Sequence, residues 1–248
     1  MGVESIQIGI FRHGASRYSQ RETALEEAND LTEEGIEKVI ANAGEFAKAL
    51  SPARKVAMYS SPMGRALHTA KIISGVLHGK GLPVQQCSIE HLLTEVLNFR
   101  WSLFAPLVNG GEVSYNGSTF AVDARQTNPE GLSEQSYFMA DNSQEIAQRL
   151  RGKLPDAYID ALAQFEKYPS VSARMDRFLG GIDDCQSDVI AVTHEALLCR
   201  ILHDATEGRV NSLEPGSYVH LSRRVYGAYV LNAGKSEVNK GVIIHADC

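Results

Sequence analysis

Three short apolar runs constrain the fold of this chain more than any other feature of its sequence. Residues 5–11 (SIQIGIF), 55–59 (KVAMY) and 188–193 (DVIAVT) are β-branched or apolar, each stops at a polar cluster, and a helical stretch follows each. Such runs suit buried strands feeding loops. After the first, Thr32 is read as an N-cap, with Glu33 and Glu34 in the first turn and Ile36, Val39, Ile40, Ala43, Phe46, Ala47 and Leu50 at helical spacing. That helix is expected to end near Ser51-Pro52. After the second, a helix from about Met63 to His78 places Ala66, Ala70, Ile73 and Leu77 on one face. After the third, a helix is expected over residues 196–205. Strands alternating with helices imply a mostly parallel sheet covered on both faces.

Residues 217–221 and 225–231 read as two strands joined by the Arg223-Arg224 turn, an edge hairpin. The expected fold is therefore α/β, a three-layer αβα sandwich with a mostly parallel central sheet. Residues 1–248 are read as a single domain with an insertion or lid at about 97–168, marked by the Asn109-Gly110-Gly111 and Asn116-Gly117 turns and a polar helical segment. Open α/β sheets place ligands at the carboxyl ends of their strands, where this lid is expected to lie.

A net charge of -6 argues against a nucleic-acid surface, which needs clustered Lys and Arg. Cys87, Cys185, Cys199 and Cys248 have neither a CxxC pair nor a zinc-type spacing, and they read as reduced thiols. No apolar run approaches the roughly 20 residues of a membrane span. The first residues, MGVESIQIGIFRHG, carry an acidic residue where a signal peptide would carry positive charge. The expectation is a cytoplasmic protein with no membrane partner.

Arg12-His13-Gly14 follows the first strand, Ser61 and Arg65 follow the second, and His194-Glu195 follows the third. Three strand ends thus deliver two arginines and two histidines toward one rim. The chain resembles the histidine phosphatase superfamily, which also includes cofactor-dependent phosphoglycerate mutases. The resemblance rests on Arg12-His13-Gly14, on Ser61 through Ala70 as Ser-x-x-x-Arg-Ala-x-x-Thr-Ala, on His194, on the Leu31-Thr32-Glu33-Glu34-Gly35 helix start and on the hairpin after Pro215-Gly216.

That resemblance implies a metal-independent phosphatase acting on a small phosphorylated substrate, with no cofactor. His13 is then the nucleophile that forms a phosphohistidine. Arg12 and Arg65 clamp the phosphoryl oxygens, and His194 donates a further hydrogen bond. Such fixed charges do the work assigned elsewhere to magnesium. Glu95, in Leu92-Leu93-Thr94-Glu95, is the candidate proton donor, with an acid from the insertion as its competitor. Ala15-Ser16 replaces the family's Glu-Thr or Glu-Ser and leaves Ser16 as a phosphate donor. Glu195 reads as an exposed first-turn carboxylate favoured by the helix dipole. Arg100, Trp101, Phe104 and Arg125 either contact substrate or, for the aromatic pair, form the insertion's own small core. The alternatives carried forward are a mutase-type phosphotransferase and a non-catalytic phospho-ligand-binding protein.

Overall fold

A computed structural model of the chain describes residues 5–16, 30–95, 101–131, 150–163, 168–182, 186–206, 213–223, 228–232 and 242–245. In chain order the strands are β1 (Ile6–Arg12), β2 (Val56–Ser60), β3 (Ser88–Ile89), β4 (Gly111–Tyr115), β5 (Ser118–Val122), β6 (Asp188–Thr193), β7 (Tyr218–Arg223), β8 (Ala228–Asn232) and β9 (Val242–His245). The helices are α1 (Glu33–Phe46), α2 (Gly64–Gly79), α3 (Trp101–Asn109), α4 (Ala124–Thr127), α5 (Asp156–Ala163), α6 (Tyr168–Gly181) and α7 (Glu195–Thr206). The chain divides into two compact units, Met1–Glu95 with Arg174–Cys248, and Val96–Ala173.

The first unit holds a seven-stranded sheet of order β3-β2-β6-β1-β7-β8-β9. Strands β3, β2, β6 and β1 run parallel, and β7, β8 and β9 continue antiparallel. Register decides where the strands stop. Arg12 pairs with Thr193, and Ser60 with Val192, so β1, β2 and β6 end level with one another. This is the expected α/β sheet with its parallel core, and β6 has the expected bounds. The expected hairpin is present as β7 and β8, but Arg223 lies inside β7 rather than in the turn, and β9 pairs with β8 beyond it, so the hairpin is not the sheet edge.

One face of this sheet packs Phe11, Met58, Ile190 and Val192 against Val39, Ala43 and Phe46 of α1 and Ala66, Ala70, Ile73 and Leu77 of α2. Gly9 in β1 is required by that packing, because a Cβ there would lie 2.7 Å from the Phe46 ring. On the opposite face Tyr59 meets Phe178 of α6 edge to face at 5.6 Å. Leu197, Leu198, Ile201 and Leu202 of α7 are also buried. Thr32 caps α1 by accepting from the Gly35 N–H at 3.0 Å, as the sequence predicts.

The second unit has its own core of Leu103, Phe104, Leu107, Val108, Val113, Val122, Leu150, Tyr158, Ile159 and Leu162. Strands β4 and β5 form a hairpin across Asn116-Gly117, both at positive φ (48° and 77°), the backbone a two-residue hairpin turn demands. Phe104 belongs to this core. Arg125 is 92% exposed and pairs with Asp123, whereas Arg100 and the Trp101 side chain lie outside the described residues, as does Arg224. Among the described residues no helix is long and apolar enough to cross a membrane.

Candidate active site

The loop that follows β1 is fixed on both sides. The His13 N–H donates to the Thr193 carbonyl of β6 at 3.0 Å, and the His13 carbonyl accepts from Gly216 N–H at 2.9 Å. Gly14 N–H donates to Thr69 Oγ1 of α2 at 3.0 Å, and that hydroxyl donates in turn to the Arg65 carbonyl one turn earlier. Two glycines permit the approach of α1. A Cβ on Gly14 would sit 3.0 Å from the Gly35 carbonyl oxygen, and one on Gly35 would sit 2.4 Å from the Ala15 carbonyl oxygen. The Leu31-Thr32-Glu33-Glu34-Gly35 helix start is thus a docking surface for the loop that carries His13.

His13 is 5% exposed. Its Nδ1 lies 2.8 Å from the Gly14 carbonyl, which can only accept, so Nδ1 carries the proton. Nε2 therefore offers a lone pair, and Arg65 Nε donates to it at 3.0 Å. Burial, then His194 and Arg65, push the imidazole from its ordinary 6.5 down to about 3, against the raising effects of Gly14 and Glu95. The ring is neutral at physiological pH, with its lone-pair nitrogen facing a guanidinium.

His194 follows β6 directly and is fully buried. Its Nε2 contacts Ser61 Oγ at 2.9 Å, and its ring centroid lies 5.1 Å from that of His13. Its Nδ1 is 3.3 Å from both Arg65 Nη2, a donor, and Glu95 Oε2, an acceptor. Glu95 Oε2 is also 3.5 Å from Arg65 Nη2. Burial pushes the Glu95 carboxyl up, but His194, Arg65 and His13 outweigh it and hold the group at about 2. The segment bearing Glu95 is pinned by Arg174, which donates to the carbonyls of Leu92 and Thr94, and by Thr193 Oγ1, which donates to the Leu93 carbonyl at 2.7 Å.

His13, Arg65, His194 and Glu95 thus converge from four separate segments. Arg12 and Ser16 are placed differently. The Arg12 guanidinium donates to the Leu213 carbonyl and pairs with Glu195 at 2.8 Å. Glu195, read from sequence as an exposed carboxylate, is instead the anionic partner of Arg12. Ser16 is fully buried, with its backbone bridged to Leu31. Sequence reasoning passed over Ser61, Thr69, Thr193 and Arg174 as supports. The first two lie inside the Ser61 to Ala70 motif, whose fixed spacing is their signal.

His13, Glu95 and His194 offer metal-ligand atoms within 4.8 Å of one another. Arg65, however, occupies the lone pair of His13 Nε2 and contacts His194 Nδ1, so a cation would have to displace a guanidinium from both.

Residues 8–101 match the model of the histidine phosphatase superfamily (branch 1). No curated protein matches the chain in sequence. Among solved structures, a phosphoglycerate mutase from Bacillus anthracis is similar at 19% identity, over 93% of each chain, with a TM-score of 0.58. A mycobacterial glucosyl-3-phosphoglycerate phosphatase in complex with VO3 is similar at 15% identity over 94% of this chain and 100% of that one, with a TM-score of 0.52. A phosphoserine phosphatase from Entamoeba histolytica in complex with phosphoserine gives 15% identity, 92% and 95% coverage and a TM-score of 0.52. The sequence pattern of the histidine phosphatase superfamily (branch 1) thus runs from β1 to the start of α3, and the chain shares its fold with these solved structures over nearly its whole length.

Proposed function

We propose that this protein hydrolyses a small phosphomonoester, without a metal, through a phosphohistidine on Nε2 of His13. The observation that carries this reading is the tautomer. Nδ1–H is committed to the Gly14 carbonyl, and the opposite nitrogen presents its lone pair beside the Arg65 guanidinium. A phosphoryl group entering here draws the Arg65 N–H groups onto its equatorial oxygens and frees Nε2 for in-line attack.

In the first step the Nε2–P bond forms as the P–O bond to the leaving group breaks, and a proton passes from Glu95 to the departing oxygen. In the second step water attacks phosphorus, gives a proton to the Glu95 carboxylate, and the Nε2–P bond breaks to release orthophosphate. Glu95 is ionised in the empty site because cationic and polar neighbours hold it there. Negative charge arriving on the phosphoryl group offsets those neighbours, so Glu95 takes up its proton as substrate binds.

The test is release of orthophosphate from an activated aryl phosphate in the presence of EDTA, with an acid-labile phosphoenzyme trapped on His13. Absence of turnover across a panel of phosphomonoesters sinks the proposal, and so does turnover that EDTA abolishes. Transfer of the group to a second oxygen of the same substrate, with no orthophosphate released, would make the chain a mutase instead.

A further inference from the structure

Resting on the phosphatase reading above, we infer that Glu195 is a positioning residue for the phosphate site, acting through Arg12. A guanidinium has five N–H donors arranged in a rigid plane. In Arg12, Nη1 donates to the Leu213 carbonyl, Nη2 lies 2.8 Å from Glu195 Oε2, and Nε–H is buried with no partner among the described residues. The two anchors fix the plane of the group from one end. They leave the edge formed by Nε–H and the second N–H of Nη2, whose spacing accepts two oxygens of one phosphoryl group.

A carboxylate competing for that edge would bridge Nε and Nη2. Glu195 engages Nη2 and leaves Nε open, which is the arrangement of an anchor. The side chains of Arg12 and Glu195 are 14% and 32% exposed, so the pair is better shielded than the solvated surface pairs that contribute little. Glu195 is also the first residue of α7, next to His194. One helix start therefore sets a histidine of the site directly and an arginine through its neighbour.

The experiment measures KM and kcat for an aryl phosphate, with inhibition constants for orthophosphate and vanadate. The proteins are wild type, Glu195→Ala, Glu195→Gln, Arg12→Gln and the double variant Arg12→Gln with Glu195→Ala. The expected result is that Glu195→Ala raises KM and both inhibition constants about tenfold while kcat changes less than about threefold. Glu195→Gln, which keeps an acceptor for Nη2, recovers part of the loss. In the Arg12→Gln background, Glu195→Ala adds nothing further. Unchanged or tighter anion binding in Glu195→Ala overturns the inference, as does an equal loss in the Arg12→Gln background. If Glu195→Ala does not fold, Glu195→Gln against wild type carries the same comparison. A wild-type chain with no turnover sinks the phosphatase reading instead, and calorimetric binding of orthophosphate to the same variants then decides the role of Glu195.

Discussion

His13 is held neutral by its surroundings, and that neutrality makes stability depend on pH. Its ordinary value of 6.5 falls to about 3 in the fold. Between those limits the unfolded chain binds a proton that the folded chain refuses, so stability drops as pH falls through this window, by up to about 1.4 kcal/mol per pH unit. Glu95, shifted from 4.5 to about 2, contributes stability that is present above 4.5 and lost as pH falls toward 2. His13→Asn should therefore flatten the dependence of the urea midpoint on pH between 6.5 and 3, and parallel curves for the variant and wild type would contradict the neutral assignment. For Glu95→Gln the expected outcome lies in the leaving group. Alkyl phosphates should slow by about a hundredfold or more and aryl phosphates far less, since their leaving groups need little protonation. Equal slowing would remove Glu95 from the proton-donor role.

At the scale of elements, the site depends on how α1 and α2 grip the loop after β1. Gly35→Ala places a Cβ 2.4 Å from a backbone oxygen, which no rotamer change relieves. A loss of about 1–3 kcal/mol is expected from overpacking, with a fall in kcat because the displaced atoms belong to the loop holding His13. Thr69→Val keeps the volume of the side chain but strands the buried Gly14 N–H, at about 1–3 kcal/mol. Thermal unfolding with kcat on the same samples checks both. A Gly35→Ala protein with wild-type melting temperature would show that α1 can retreat without disturbing the loop.

At the scale of the molecule, the candidate site and a buried ion pair sit at opposite ends of the same strands. Asp188 opens β6 fully buried, its Oδ1 accepting from Arg54 at 3.0 Å and from the Gln7 N–H at 3.0 Å. Arg54→Ala should destabilise by about 3 kcal/mol, because it leaves a buried carboxylate without its cation. The kcat of the folded fraction should stay near wild type, since the groups proposed to react lie past the other end of β6. A kcat loss exceeding the loss of folded protein would contradict that separation. The sequence alone determined the strands of continuous apolar residues and the helices with apolar spacing, down to the bounds of β6 and the Thr32 cap, because these are written in patterns a few residues long. It also brought His13, Arg65, His194 and Glu95 into candidacy through the residues at strand ends and the family they resemble. It did not reveal β3, two exposed residues with no apolar run, nor the hairpin strands β4 and β5 flanking the Asn116-Gly117 turn. Partners were decided by tertiary structure alone: Arg65 on His13, 52 positions away, Ser61 on His194, 133 away, and Glu195 on Arg12. Hydrogen bonds and ion pairs depend on distances of about 3 Å between atoms that only the packed sheet brings together, and no local pattern carries that information.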